Sequence, residues 1–163
     1  MADVKLNIDQ WKKFAEAIAI STDQKRIDEA KANAVRLMAA AYLREAKTQT
    51  PTGARGTVEV NGKEYRIQTE HMRRSWDTGK LERGARVYQM AVTNSASYAS
   101  FVNDGHRQTP GRFVPILGKQ LVANFVGGQH MAEKAQAYTE SKAGGIIRRQ
   151  TSALLKELKN GGK

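Results

Sequence analysis

The stretch from Asp23 to Lys47 constrains the fold most. Ile27, Ala30, Ala34, Leu37, Met38 and Ala41 fall at a spacing of three or four residues. That spacing aligns them along one side of a helix. The Ala-rich centre, Met38 to Tyr42, combines high helix propensity with room for a close neighbour. Arg26, Glu29, Arg36 and Lys47 occupy the other side. The pattern predicts a long helix over 23–47 whose apolar side lies across a sheet. A sheet–helix layer of this kind belongs to the α+β class.

The flanking segments supply that sheet. Arg86 to Thr93 alternates with apolar groups on both faces, Tyr88, Met90 and Val92 on one and Val87 and Ala91 on the other. A strand apolar on both faces is expected at the centre of a sheet. Thr57 to Thr69 reads as a β-hairpin, with Val58 and Val60 before Asn61-Gly62 and Tyr65 and Ile67 after it. Thr48 to Gly56, with Pro51, Gly53 and Gly56, reads as a mobile connection to it. Met72 to Trp76 reads as a short strand, and Asp77-Thr78-Gly79-Lys80 as a turn. Before all of these, Asn7 to Ile20 reads as a helix capped by Asn7 or Asp9, with Trp11 turned to the core.

After Arg86–Thr93 the chain turns at Asn94-Ser95 into a second apolar segment containing Tyr98, Phe101 and Val102. Asn103-Asp104-Gly105-His106 closes it. Pro110-Gly111-Arg112-Phe113 reads as the entry to a helix through Val114, Ile116, Leu117, Leu121 and Phe125. Two further helices follow, Met131 to Ser141 and Ile146 to Lys159, divided at Ala143-Gly144-Gly145. The expected architecture is one domain over 1–163. It has a small antiparallel sheet of about four strands (the sheet region is 72–104) against one long helix. C-terminal helices over 112–159 and a projecting hairpin at 57–69 complete it.

Composition narrows the function. The chain has no cysteine, which excludes disulfides, iron–sulfur clusters, Cys-ligated zinc and thiol catalysis. The N-terminus has no apolar signal core, and no run approaches the ~18 apolar residues of a membrane span. The net charge is +11. It grows along the chain: nine basic and seven acidic residues in 1–50, nine and six in 51–110, nine and three in 111–163. Such a balance suits an acidic protein surface or nucleic acid. Trp76 after Arg73-Arg74 and Phe113 after Arg112 place an aromatic residue beside cations, but both stretches are too short for a stacking platform.

Nothing in the pattern reads as catalysis, a cofactor site or a metal site. His71, His106 and His130 share no i, i+4 spacing, and there is no HExxH, nucleophile elbow, P-loop or G-x-G-x-x-G after a strand. Asp77 and Glu82 fit solvating charges of a polar turn. Asp104 and His106 are the one candidate proton relay, and a turn histidine at a sheet edge explains them more simply.

Five short motifs, in order, resemble the small tail-component or neck proteins of long-tailed double-stranded DNA bacteriophages. They are Pro51-Thr52-Gly53 after the long helix; Met72-Arg73-Arg74-Ser75-Trp76; Tyr98-Ala99 with Val102 and Gly105-His106; Pro110-Gly111-Arg112-Phe113; and Val126, Gly128 and Met131. The resemblance runs over roughly 25–160. The hairpin between the first two motifs departs from the usual pattern, and is a candidate partner-specific contact. The resemblance implies a non-enzymatic virion protein, one subunit of a hexameric or dodecameric ring at the head–tail junction, assembled in the host cytoplasm. Its implied partners are its own copies, neighbouring head-completion and tail proteins, and double-stranded DNA passing through the lumen. A tail-terminator ring subunit and a stand-alone nucleic-acid binder are the alternatives. The candidate contact residues are Tyr65, Ile67, Trp76, Tyr98, His106, Arg112 and Phe113.

Overall fold

The computed structural model describes residues 2–7, 24–52, 57–60, 63–66, 70–84, 87–114 and 118–160. The expected helix at 7–20 lies outside them except for Asn7, which ends a strand instead. That strand, β1 (Ala2–Asn7), pairs antiparallel with β5 (Val87–Asn94), matching Val4 to Met90 and Leu6 to Tyr88. On its other side β5 pairs antiparallel with β4 (Trp76–Arg83). The sheet order β1-β5-β4 makes β5 central, as its two apolar faces predict. The chain is α+β, with one long helix, small antiparallel sheets and a helical C-terminal part.

Helix α1 (Gln24–Gln49) is the long helix, about 39 Å from end to end at 1.5 Å per residue. It is covered on two sides, by β4 and β5 of the sheet and by a second long helix, α4 (Met131–Asn160). This double cover shifts the buried arc. Ala30, Ala34 and Met38 are inside as expected, but so are Ala32, Val35, Ala39, Tyr42 and Ala46, whereas Leu37 is 45% exposed. Glu29 lies on the open side, where its carboxylate takes Arg36 at 2.9 Å and Arg83 of β4 at 3.0 Å. The hydrogen bonds from those two guanidinium groups hold its pKa below the ordinary carboxylate value.

Two apolar clusters result. One joins Val35 and Met38 to Tyr88 of β5 and to Ile146 and Leu154 of α4. The other joins Tyr42 and Ala46 to Trp76, Val92, Met131 and Ala135. Met90, at the middle of β5, packs against both.

Four local expectations need correction. Met72–Trp76 is not a strand: residues His71–Arg74 form one helical turn, α2, and Trp76 starts β4. Met72 and Trp76 are buried together in either geometry, because a spacing of four satisfies both periods. The polar run Asp77–Lys80 is not a turn but part of edge strand β4, where a register shift between Thr78 and Leu81 absorbs Gly79. The second apolar segment is a short helix, α3 (Ala99–Asp104). Finally, α4 continues without a break through Gly144-Gly145. Each glycine costs a helix about 1 kcal/mol, which the packing of Met131, Ala135, Ile146 and Leu154 on either side outweighs.

The hairpin expected at 57–69 is present as β2 (Thr57–Val60) and β3 (Lys63–Arg66). They pair antiparallel, Val60 opposite Lys63, in a two-stranded sheet separate from the main one.

Candidate interaction surface

The helix expected after Pro110 does not form. Residues 105–114 and 118–127 instead make the two sides of an antiparallel arm. At its root β6 (Gly105–Arg107) pairs with β9 (Phe125–Gly127), His106 opposite Val126. Farther out, the Gln108 amide donates to the Asn124 carbonyl at 3.0 Å and the Gly111 amide to the Leu121 carbonyl at 2.8 Å. Toward the tip β7 (Phe113–Val114) pairs with β8 (Lys119–Gln120). The apolar spacing from Phe113 to Phe125 mimics a helix. However, Pro115 cannot donate to a helical ladder, and Gly118 sits at φ +58, the left-handed region of a tight turn.

The root is fixed by close backbone contacts. Asn103, the penultimate residue of α3, accepts the Ala132 amide on its Oδ1 at 3.0 Å, so a side chain from α3 caps α4. Its carbonyl accepts the His130 amide at 2.9 Å, and the Val102 carbonyl accepts the Gln129 amide at 2.9 Å. The chains pass so closely that both crossing points are glycine. A Cβ on Gly105, which sits at φ +84, would come within 2.5 Å of the Val126 carbonyl oxygen. A Cβ on Gly128 would run into the Asn103 carbonyl. Two motifs of the sequence, Gly105-His106 and Val126/Gly128/Met131, are thus the two halves of one joint.

The arm is cationic and apolar. Its 23 residues hold Arg107, Arg112 and Lys119 and no Asp or Glu. Phe113 is 56% exposed, Phe125 55% and Val122 90%. Phe101, also 55% exposed, stands at the root with its ring edge-on to His106, centroids 5.9 Å apart. These exposed apolar side chains make the arm a candidate contact surface.

Beside the root lies a cleft of about 490 Å³ between β5, α3 and the start of α4. Trp76, Val92, Ala96 and Met131 line its apolar part, and Asp104 and Glu133 line it with charge. Both carboxylates take the Asn103 amide, at 2.6 Å and 3.1 Å. No Lys, Arg or His is among the lining residues.

The candidate contact residues divide between these features. His106, Arg112 and Phe113 belong to the arm. Tyr98 is exposed just before α3, with its hydroxyl 3.2 Å from His71 Nδ1. Trp76 is buried: its ring meets Tyr42 edge-on, and it belongs to the core of its own chain. Tyr65 lies in β3 opposite Val58, and Ile67 lies outside the described residues. Asp104 and His106 do not form a relay, since His106 Nδ1 faces the Phe101 carbonyl at 3.5 Å while Asp104 takes Asn103. Phe101, Val122, Phe125 and Glu133 join the candidate surface without having been singled out by sequence reasoning, and Asp104 was singled out only as half of a relay. A signal for the arm was available in its 23 residues without an acid. Among the described residues, no group of three His, Asp or Glu is placed to hold a metal, and no helix is long and apolar enough to cross a membrane.

No curated protein and no solved structure matches the chain significantly. One family model does, over residues 13–105, more than half of the chain. The matched span includes α1, the sheet strands β4 and β5, and α3, and it ends where the arm begins. The chain therefore belongs to the HK97-gp10-like family, described as "Bacteriophage HK97-gp10, putative tail-component".

Proposed function

We infer that this protein is a virion structural subunit that forms a ring at the head–tail junction, where it joins head and tail and leaves a passage for DNA. The observation that carries this reading is the rigidly rooted, exposed arm on a member of a phage tail-component family. A ring subunit needs two different surfaces that meet between neighbours, and an arm with a separate cleft supplies two. Its partners are its own copies, in a hexamer or dodecamer, and the head-completion and tail proteins above and below. Its place is the virion, after assembly in the host cytoplasm. Exposed Lys134, Lys142, Arg148, Arg149 and Lys156 on α4 fit phosphate contacts in a lumen. The resemblance implies no enzymatic role.

The test is the mass of the purified protein at low and high salt, with and without double-stranded DNA, together with labelling of intact virions. A discrete hexamer or dodecamer indifferent to DNA, and label at the neck, support the reading. A monomer that binds DNA, loses it in salt and is absent from virions overturns it in favour of a nucleic-acid binder.

A further inference from the structure

We propose that the arm of one copy docks in the acidic cleft of the next copy, so that Arg112 and Phe113 of one chain meet Asp104, Glu133 and Gln136 of its neighbour. The proposal rests on the structural-subunit reading and names the contact that builds the assembly.

Three observations choose a second copy as the occupant. The first is charge. The arm carries Arg107, Arg112 and Lys119 without an acid, and the cleft carries Asp104 and Glu133 without a cation among its lining residues. Opposite charges of this kind steer encounter and fix register. The second is apolar surface. Phe113 is more than half exposed, and the cleft presents the partly exposed Ala99 and Ala132 over a floor of buried Trp76, Val92 and Met131, in a volume suited to a few inserted side chains. Aromatic anchors beside arginine are the usual dominant contacts of an interface.

The third is reach. From Gly105 to Val114 the arm extends up to about 30 Å at the rise of a β-strand. Its root is at the cleft itself, because Asp104 lines the cleft and Gly105 starts β6. The tip, β7–β8, pairs separately from the root ladder β6–β9, and in the proposed contact it sits in the cleft of a neighbour rather than in its own. Arm and cleft are different surfaces, and joining them from copy to copy gives a head-to-tail contact, which closes into a ring when the rotation allows.

The absence of native cysteine makes the test direct. One chain carries Arg112→Cys and another Gln136→Cys. The two are mixed, oxidised, and read as disulfide-linked dimers by mass. The control partner carries Glu157→Cys, exposed on the same helix 21 residues away, about 31 Å at the helical rise. The expected result is about tenfold more linking to position 136 than to position 157, since docking raises the local concentration of one pair only. Lys119→Glu in the arm chain, or Glu133→Lys in the cleft chain, should lower the yield. Together they should restore it, which misfolding would not do. Equal linking to both positions, predominant Arg112→Cys self-linking, or no linking overturns the proposal. If the protein still forms a discrete ring and enters virions, the docking mode fails and the structural role stands. If it neither self-associates nor enters virions, the role itself fails.

Discussion

Trp76 Nε1 donates a hydrogen bond to Thr50 Oγ1 at 2.8 Å, 26 positions back in the chain. Thr50 is the first residue after α1 and is fully buried, and its hydroxyl in turn donates to the Ala46 carbonyl at 2.6 Å. Its own carbonyl accepts the Arg73 guanidinium at 2.9 Å. The end of α1 is thereby latched to the start of β4. Thr50→Val keeps the shape but leaves the indole N–H buried without an acceptor, and should lower the free energy of unfolding by about 1–3 kcal/mol. Thr50→Ser retains the acceptor and loses one methyl group, about 0.8 kcal/mol. Urea unfolding of the two variants checks the order, and an equal loss in both would show that the hydroxyl is not what holds the joint.

That latch also shows what could be read in the sequence. Thr50 immediately precedes the Pro51-Thr52-Gly53 motif and Arg73-Arg74-Ser75-Trp76 belongs to another, and each is only turn chemistry when taken alone. Their pairing is tertiary, and local spacing does not encode it. The long helix and the central strand were legible because an amphipathic period and a two-faced apolar run each have one structural solution. Strand β1 was not, because Asn7 and Asp9 offered a stronger helix-cap signal than the weak alternation of Val4 and Leu6. The arm was not, because its apolar residues fall at helical spacing while Gly118, at φ +58, turns the chain back into a hairpin.

Leu37 and Met38 are neighbours on α1 with opposite surroundings, the first 45% exposed and the second fully buried between sheet and α4. Both belong to the same stripe by spacing, so the sequence expects both to be core. Met38→Ala should cost about 2–5 kcal/mol through lost contacts and a residual cavity. Leu37→Ala should stay within about 0.5 kcal/mol of the parent, as exposed substitutions do. Denaturant midpoints measured side by side decide between the two-sided cover of α1 and a simple stripe. A large loss at position 37 in the isolated chain would contradict the cover described here.

Gly128 is the sharpest steric constraint in the joint at the root of the arm. A Cβ there meets the backbone of Asn103 and Asp104, which cannot rotate away, whereas a Cβ on Gly127 meets nothing within 4 Å. Gly128→Ala should therefore cost about 1–3 kcal/mol as an overpacked site, and Gly127→Ala almost nothing. The strain falls on the contact that roots the arm. Limited proteolysis should then cut Gly128→Ala between 105 and 128 faster than the parent, while Gly127→Ala is cut at the parental rate. Similar cutting of the two variants would mean that the root is not closed as tightly as its hydrogen bonds indicate.

Tyr42 lies under the joint with its hydroxyl buried and, among the described residues, without a hydrogen-bond partner. Burial, and after it the charge of Glu133, pushes its pKa up to about 12. The unfolded chain ionises the same group near 10. Between about pH 10 and 12 the unfolded state thus binds fewer protons than the folded state, and this contribution to stability falls as pH rises. It is fully present below about pH 10, and the loss across the window reaches roughly 2–3 kcal/mol. Tyr42→Phe removes the titrating group and also the unpartnered hydroxyl. The variant should be at least as stable as the parent at neutral pH, and its advantage should widen through the alkaline window. The lysines and arginines are common to both chains, so the difference in unfolding free energy isolates Tyr42. A difference that stays constant across the window would mean that this hydroxyl finds an acceptor or reaches water.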